Sequence, residues 1–281
     1  MILITGSTGN IGSMLVAAFL KKQVPMRVLV RSGDKTSFPP GVEVAVGDMS
    51  VPDSLKKPME GVQSLFLLTP VTQETTRWKG NCIRAAKEAA VEHIVNLSVA
   101  NAGPQSPVNL FRWHAEAERE LEASGIAWTH LRPTDLARYN TRLNLPTIQD
   151  HGAFYSTVGD GRVALVDEAD VAEVAAAALL EPKHRGQIYT LTGPAALSYP
   201  EVAATIATVL GQPVRYVDIS PEQAKQSMLG AGMPEWLADF INSLRQLERD
   251  GGASQVSPDI QAVVGRPATS YVESVRATLG E

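Results

Sequence analysis

Thr5-Gly6-Ser7-Thr8-Gly9-Asn10-Ile11-Gly12, near the start of the chain, has the residue types and spacing to hold a pyrophosphate. Its glycines answer three separate needs. Gly6 tolerates the positive φ of a tight turn, Gly9 keeps a Cβ out of the way of a phosphate, and Gly12 lets a helix lie close on a strand. A helix opening at this point presents unpaired N–H groups and a positive dipole end to an anion. A β-α turn that holds no ligand could use the same glycines, so the context decides. The loop follows an apolar strand pattern and precedes an amphipathic helix, with Ile11, Leu15, Ala18 and Phe19 on one face.

The choice between NADP(H) and NAD(H) turns on the end of the second strand, where an acid would accept from the ribose 2′-hydroxyl. The chain reads Val30-Arg31-Ser32-Gly33-Asp34-Lys35 there. Arg31 and Lys35 suit a 2′-phosphate, with the Arg fork able to bind it bidentately and Ser32 able to add a hydroxyl, so NADP(H) is favoured over NAD(H). Solvated loop charges, or Asp34 serving a ribose, are the alternatives. Asp48 and Met49 end the third strand, where the acid is free to accept from an adenine amino group. Thr69 and Pro70 end the fourth, along the cofactor's middle. Ser98 ends the fifth, placed to touch nicotinamide or substrate or simply to cap a loop.

The elements that must position these groups follow from periodicity. Short apolar runs predict strands at 2–5, 27–30, 42–46, 64–68, 93–97 and 127–131. Helical patterns lie at 11–22, 75–91 and 110–123, with a short turn at 54–59. This alternation predicts an α/β class, a Rossmann-type, doubly wound parallel sheet covered on both faces. Residues 1–134 form the dinucleotide-binding unit, and 135–281 form a smaller substrate-side α/β lobe interleaved with it, without a clear linker. In that lobe 135–161 reads as loop. Helices follow at 169–180, 199–210, 221–230 and 235–247, with strands at 187–191 and 214–217.

The chain of 281 residues, 44% apolar, can bury a sizeable core. A formal charge of −5 without a basic run argues against nucleic acid and membrane surfaces as partners. Cys82 is the single cysteine, which excludes an internal disulfide, argues against a cysteine metal site, and suits a reducing cytoplasm. No secretory signal pattern or membrane-spanning run is expected. Asp167, Asp170 and Glu173 read as an N-cap followed by solvated first-turn acids, not as metal ligands.

Beyond the glycine loop, Val30-Arg31, Gly47-Asp48 and the segment Ser124-Gly125-Ile126-Ala127-Trp128-Thr129-His130-Leu131-Arg132-Pro133 carry a resemblance. So do Gly159-Asp160-Gly161-Arg162, Asp167, Asp170-Val171-Ala172, Tyr189-x-Leu191-x-Gly193 and Gly265-Arg266-Pro267. The chain resembles the NmrA-like branch of the atypical short-chain dehydrogenases/reductases, which includes quinone, azo-dye and triphenylmethane-dye reductases and NADP-sensing regulators. The resemblance implies NADP(H) binding, with Pro133 on the cofactor side, and hydride transfer to a small aromatic or quinonoid substrate.

The Tyr-x-x-x-Lys dyad usual in short-chain dehydrogenases is absent, because none of the six tyrosines has a lysine four positions later. His114 stands on the helix that would carry the dyad, and the resemblance implies a role there, since many members of the NmrA-like branch have His or Lys at that position. His114 is therefore one candidate proton donor, oriented by Glu118 one turn later, and Tyr139 and Tyr155 are the others. Each also reads as an ordinary structural residue. Hydride transfer to an electron-poor ring needs positioning and exclusion of water, with protonation available from solvent. Trp113, Phe111, Met228, Met233 and Trp236 could line an apolar pocket. Two rival readings are a non-catalytic NADP sensor and an epimerase or tailoring enzyme on the same fold. A homodimer is compatible with the apolar helix faces.

Overall fold

The computed structural model describes residues 1–31 and 38–280. The first part of the chain runs β1 (Ile2–Ile4), α1 (Asn10–Lys21), β2 (Met26–Val30), β3 (Val42–Val46), α2 (Lys56–Met59) and β4 (Ser64–Leu67). It continues through α3 (Thr75–Glu88), β5 (His93–Leu97), α4 (Asn109–Glu122) and β6 (Ala127–Pro133). The second part runs α5 (Ala137–His151), β7 (Ala153–Ser156), β8 (Arg162–Val163), α6 (Glu168–Leu180), β9 (Gln187–Leu191) and β10 (Leu197–Ser198). It ends with α7 (Tyr199–Leu210), β11 (Arg215–Asp218), α8 (Pro221–Gly230), α9 (Glu235–Arg249), α10 (Asp259–Val264) and α11 (Tyr271–Leu279).

Seven strands form one parallel sheet in the order β3-β2-β1-β4-β5-β6-β9. The order reverses between β1 and β4, which opens a crevice beyond the carboxyl ends of those two strands, the usual ligand position in such a sheet. Both sheet faces are apolar because both are covered. On one, Val28, Phe66, Val95 and Leu131 pack under Leu15 and Phe19 of α1 and Val171, Val174 and Ala175 of α6. On the other, Leu3, Leu65, Leu67 and Ile94 pack under Cys82, Ile83 and Ala86 of α3 and Leu121 of α4. Burying one such side chain as large as Phe19 contributes about 1.5–3 kcal/mol. β9 and α6 belong to this sheet layer although they come late in the chain.

The second part has its own core, in which Phe154, Tyr199 and Tyr216 meet with ring centroids 5.3–5.8 Å apart. Here the structure departs from the sequence reading. The segment expected as loop is helix α5 followed by β7. Pro146 lies inside α5 and its apolar periodicity is weak, so local pattern does not announce it. Its N-terminus is held from afar instead. The buried Glu168 carboxylate accepts the amides of Arg138 (2.9 Å) and Tyr139 (2.8 Å), and Asp167 pairs with the Arg138 guanidinium at 2.9 Å. Gly152, at φ +60, ends the helix. Helices α10 and α11 and the short β8 and β10 are further elements beyond the sequence reading.

Asp167 caps α6 through the amide of Ala169 at 2.7 Å, as expected. Asp170 is not solvated. It is fully buried and binds Arg266 (2.7 Å) and the Thr269 amide (2.7 Å), tying α6 to the segment before α11. Among the described residues, no helix is long and apolar enough to cross a membrane.

Candidate active site

The glycine loop leaves β1 at the sheet's switch point. Thr5 fixes the exit: its Oγ1 accepts the Leu68 amide and donates to the Leu68 carbonyl, both at 2.8 Å, clamping the ends of β1 and β4 together. Gly6 takes φ +64 and its carbonyl accepts the Gly9 amide at 3.0 Å. Gly12 lies so close to the turn that a Cβ there would stand 2.7 Å from the Gly6 carbonyl carbon and 2.9 Å from the Ser7 Cα. Gly9, by contrast, is exposed, and a Cβ there would approach only the Gly6 carbonyl oxygen, at 3.3 Å. No side chain caps α1, which starts at Asn10 and continues through Ile11. Thr8, Gly9 and Asn10 are exposed, and the buried Ser7 Oγ has no hydrogen bond among the described residues. An open glycine cradle at an uncapped helix start fits a pyrophosphate.

Arg31 directly follows β2 and is exposed. Lys35, Ser32 and Asp34, expected beside it, lie outside the described residues. Asp48 is only partly available, which corrects the expectation of a free acid. Its Oδ1 accepts the Ser50 amide (2.7 Å) and hydroxyl (2.6 Å) in a local turn. Those bonds hold its carboxyl below the usual range, and the Arg31 cation adds to them. Met49 points its side chain into the core, and its carbonyl accepts from Asn81 at 2.8 Å, so any ligand contact there falls to the backbone. Thr69 is half-buried and Pro70 exposed just past β4. Pro133 ends β6 buried, with its carbonyl accepting the Ala100 amide at 2.8 Å.

Helix α4 lays its inner face against the ends of β5 and β6. Its apolar stripe, Leu110, Phe111, Ala115, Ala117 and Leu121, drives this docking and carries His114 and Glu118 inward with it. The structure separates these two residues chemically. Glu118 does not orient His114. It forms a fork with Arg132 of β6, at 2.6 and 3.0 Å. Burial pushes the Glu118 carboxyl up, but Arg132 and the neighbouring Ser98 outweigh it and hold the group ionised. Ser98 is buried at the end of β5.

His114 turns instead to a residue the sequence reading missed. Lys79 of α3 is fully buried, and its Nζ lies 3.2 Å from His114 Nδ1, 2.7 Å from Asn96 Oδ1 and 2.6 Å from the Leu97 carbonyl. Burial pushes the Lys79 ammonium down to about 7 against the pull of Glu118. Burial, with the Lys79 charge added, pushes the His114 imidazolium well below its ordinary value, so the ring is neutral at neutral pH. A signal for Lys79 existed: it falls on the buried stripe Thr75, Lys79, Cys82, Ile83, Ala86 of α3. A lysine on such a stripe has to find partners in the interior.

Tyr139 on α5 and Tyr155 on β7 are 50% and 43% exposed, and neither phenol makes a hydrogen bond among the described residues. The apolar wall beside His114 differs from the expected one. Phe111 and Trp113 pack with Val99 and with Phe240, Leu244 and Leu247 of α9, whereas Met228, Met233 and Trp236 belong to none of the buried clusters.

The chain is 39% identical over 279 residues to an NAD(P)H azoreductase of Xenophilus azovorans, covering 99% of this chain and 97% of that protein. It is 31% identical to quinone oxidoreductase 2 of Escherichia coli, covering 98% and 97%. The triphenylmethane reductase of Citrobacter sp., solved in complex with NADP(H), superposes with a TM-score of 0.90 at 28% identity, covering 99% of this chain and all of that one. The NmrA-like family profile matches residues 1–269, and the chain belongs to that family.

Proposed function

We propose that the protein is an NADPH-dependent oxidoreductase that passes hydride to a small aromatic or quinonoid acceptor. One observation carries this reading: an open glycine cradle at the switch point of a parallel sheet, with a buried Lys79–His114 pair beside the adjoining strand ends. The relatives, an azoreductase, a quinone oxidoreductase and a triphenylmethane reductase, are named for azo, quinone and triphenylmethane compounds.

Gly6, Gly9 and Gly12, with the backbone of Ser7, Thr8, Asn10 and Ile11, hold the pyrophosphate against the start of α1. Arg31 binds the 2′-phosphate, joined by Lys35. Asp48 and Met49 border the adenine, while Thr69, Pro70, Ser98 and Pro133 line the path toward the nicotinamide. NADPH supplies the hydride when bound. His114 offers a proton to acceptors that need one, and Tyr139 and Tyr155 serve the mouth of the site. Trp113, Val99 and Phe240 give the acceptor an apolar face and exclude water. Residues 1–134 act as the cofactor unit and 135–281 as the substrate lobe. We place the protein in the cytoplasm, a reading that rests on its single, buried cysteine.

The test is a pair of binding titrations, NADPH against NADH, followed by NADPH consumption with a panel of quinones, azo dyes and triarylmethane dyes. Tighter NADPH binding and consumption with at least one acceptor are expected. NADPH bound but never consumed would instead make the protein a sensor.

A further inference from the structure

Lys79 is an unusual group to bury behind a reducing site. Its ammonium has three N–H bonds and no lone pair. The Leu97 carbonyl can only accept. Asn96 must also present its oxygen, because its amide nitrogen lies 3.1 Å from His130 Nδ1 and donates there. Two N–H bonds of Lys79 are thereby committed, and the third meets His114 Nδ1. That nitrogen must then carry a lone pair, so the proton of the neutral ring sits on Nε2. Nε2 itself has no hydrogen bond among the described residues. A neutral Lys79 amine reverses this logic. It has two N–H bonds for the oxygens and a lone pair for His114 Nδ1–H, so Nε2 becomes an acceptor.

We propose that Lys79 is a positioning residue that fixes His114 in the Nε2–H tautomer and restores its proton whenever the acceptor needs one. The inference rests on the reductase reading and deepens it. In the step, hydride adds two electrons and a hydrogen to a quinone or azo acceptor, leaving an anionic oxygen or nitrogen. That atom takes the Nε2 proton of His114, and His114 Nδ1 takes a proton from the Lys79 ammonium, leaving a neutral amine. After the product leaves, Nε2 recovers a proton from solvent and Nδ1 returns its own to Lys79. The balance is one NADPH and one proton consumed per two-electron reduction.

The surroundings favour Lys79 as the titrating group. On α3 itself it faces Cys82, whose thiol burial pushes up to about 12. From β6 it faces His130, which burial pushes down to about 4. From α4 it faces His114 and Glu118, the latter kept ionised by Arg132. Of these groups only Lys79, at about 7, changes charge near neutrality.

Two readouts test this. The first is the imidazole nitrogen spectrum of His114 in 15N-labelled protein with NADP+ bound, which needs no turnover. Below neutrality the Nε2–H tautomer is expected, shifting toward Nδ1–H as pH rises through about 7. In Lys79→Met this pH dependence should vanish, and Met, of similar length and neutral, suits a buried site. The second is the rate against pH for the wild type. With a quinone it should fall tenfold per pH unit above about 7, because the acid form is required. With a cationic triarylmethane dye, which becomes neutral on accepting hydride and needs no proton, it should stay flat. Lys79→Met should slow quinone reduction about a hundredfold and abolish the alkaline limb. An Nδ1–H tautomer in the wild type below neutrality, or an alkaline limb unchanged in Lys79→Met, would overturn the proposal. Failure of every acceptor would remove the reductase reading, while the spectrum would still decide the role of Lys79.

Discussion

Gly9→Ala and Gly12→Ala, three residues apart in one loop, should fail in opposite ways. At position 12 a methyl group would fall among the backbone atoms of Gly6 and Ser7, 2.7 and 2.9 Å from two of their carbons. Backbone cannot rotate aside, so α1 must slide off β1 and disturb the packing of Leu15 and Phe19. Overpacking of this kind costs about 1–3 kcal/mol, or roughly 3–10 °C in melting temperature for a chain of this size. At position 9 a methyl group meets only the Gly6 carbonyl oxygen at 3.3 Å and otherwise points into the open cradle. The unliganded protein should therefore lose no more than about 0.5 kcal/mol. With the pyrophosphate placed as proposed, that methyl stands in its path, and NADPH affinity should fall at least tenfold, about 1.4 kcal/mol. Thermal melts without nucleotide and calorimetric NADPH titrations separate the two effects. A Gly9→Ala protein that binds NADPH as tightly as wild type would refute the placement of the phosphates, and an undisturbed Gly12→Ala melt would refute the packing argument.

Arg31→Ala should weaken NADPH about tenfold, since a hydrogen bond to a charged group is worth about 1.5–3 kcal/mol, and should leave NADH affinity unchanged in the same titration. Glu118→Ala strips the fork from Arg132, whose side chain is 25% exposed. The usual cost of breaking a buried pair, scaled for that exposure, becomes about 2–3 kcal/mol, or roughly 4–10 °C by calorimetry. Glu118 and Asp167 both have lowered carboxyl values in the folded chain. Their contribution is complete above the unfolded range, about pH 4, and is lost as pH falls through the lower folded values, so melts of Glu118→Ala should show a weaker acid-side decline than wild type. Cys82 is fully buried, with its thiol pushed up to about 12, and should resist alkylation in the native protein yet react at once in denaturant.

The sheet was legible because its first six strands fall on short, mostly apolar runs between turn residues, and their observed limits differ from the pattern by at most two residues. The glycine loop was legible for the same local reason. Helix α5 was not, because what holds it is Glu168 and Asp167, thirty residues away in sequence, and an internal Pro146 argues against it. The site divided along the same line. Gly6, Gly9 and Gly12 announce themselves by spacing, whereas the partner of His114 comes from another helix. The i, i+4 spacing of His114 and Glu118 suggested a pair, but Arg132 on β6 and Lys79 on α3 claim those side chains in three dimensions. Spacing within one helix identifies which residues share a face, and the neighbouring element decides what they do.

Hydride transfer from NADPH to an aromatic acceptor can be followed with NADPH deuterated at nicotinamide C4 and a cationic triarylmethane dye, whose reduced carbon keeps the hydrogen it receives. The dye should bleach in step with NADPH oxidation, and the product should carry one deuterium on its central carbon. Bleaching with the label lost to water, or bound NADPH that outlasts the dye and every other acceptor offered, would rule out direct hydride transfer.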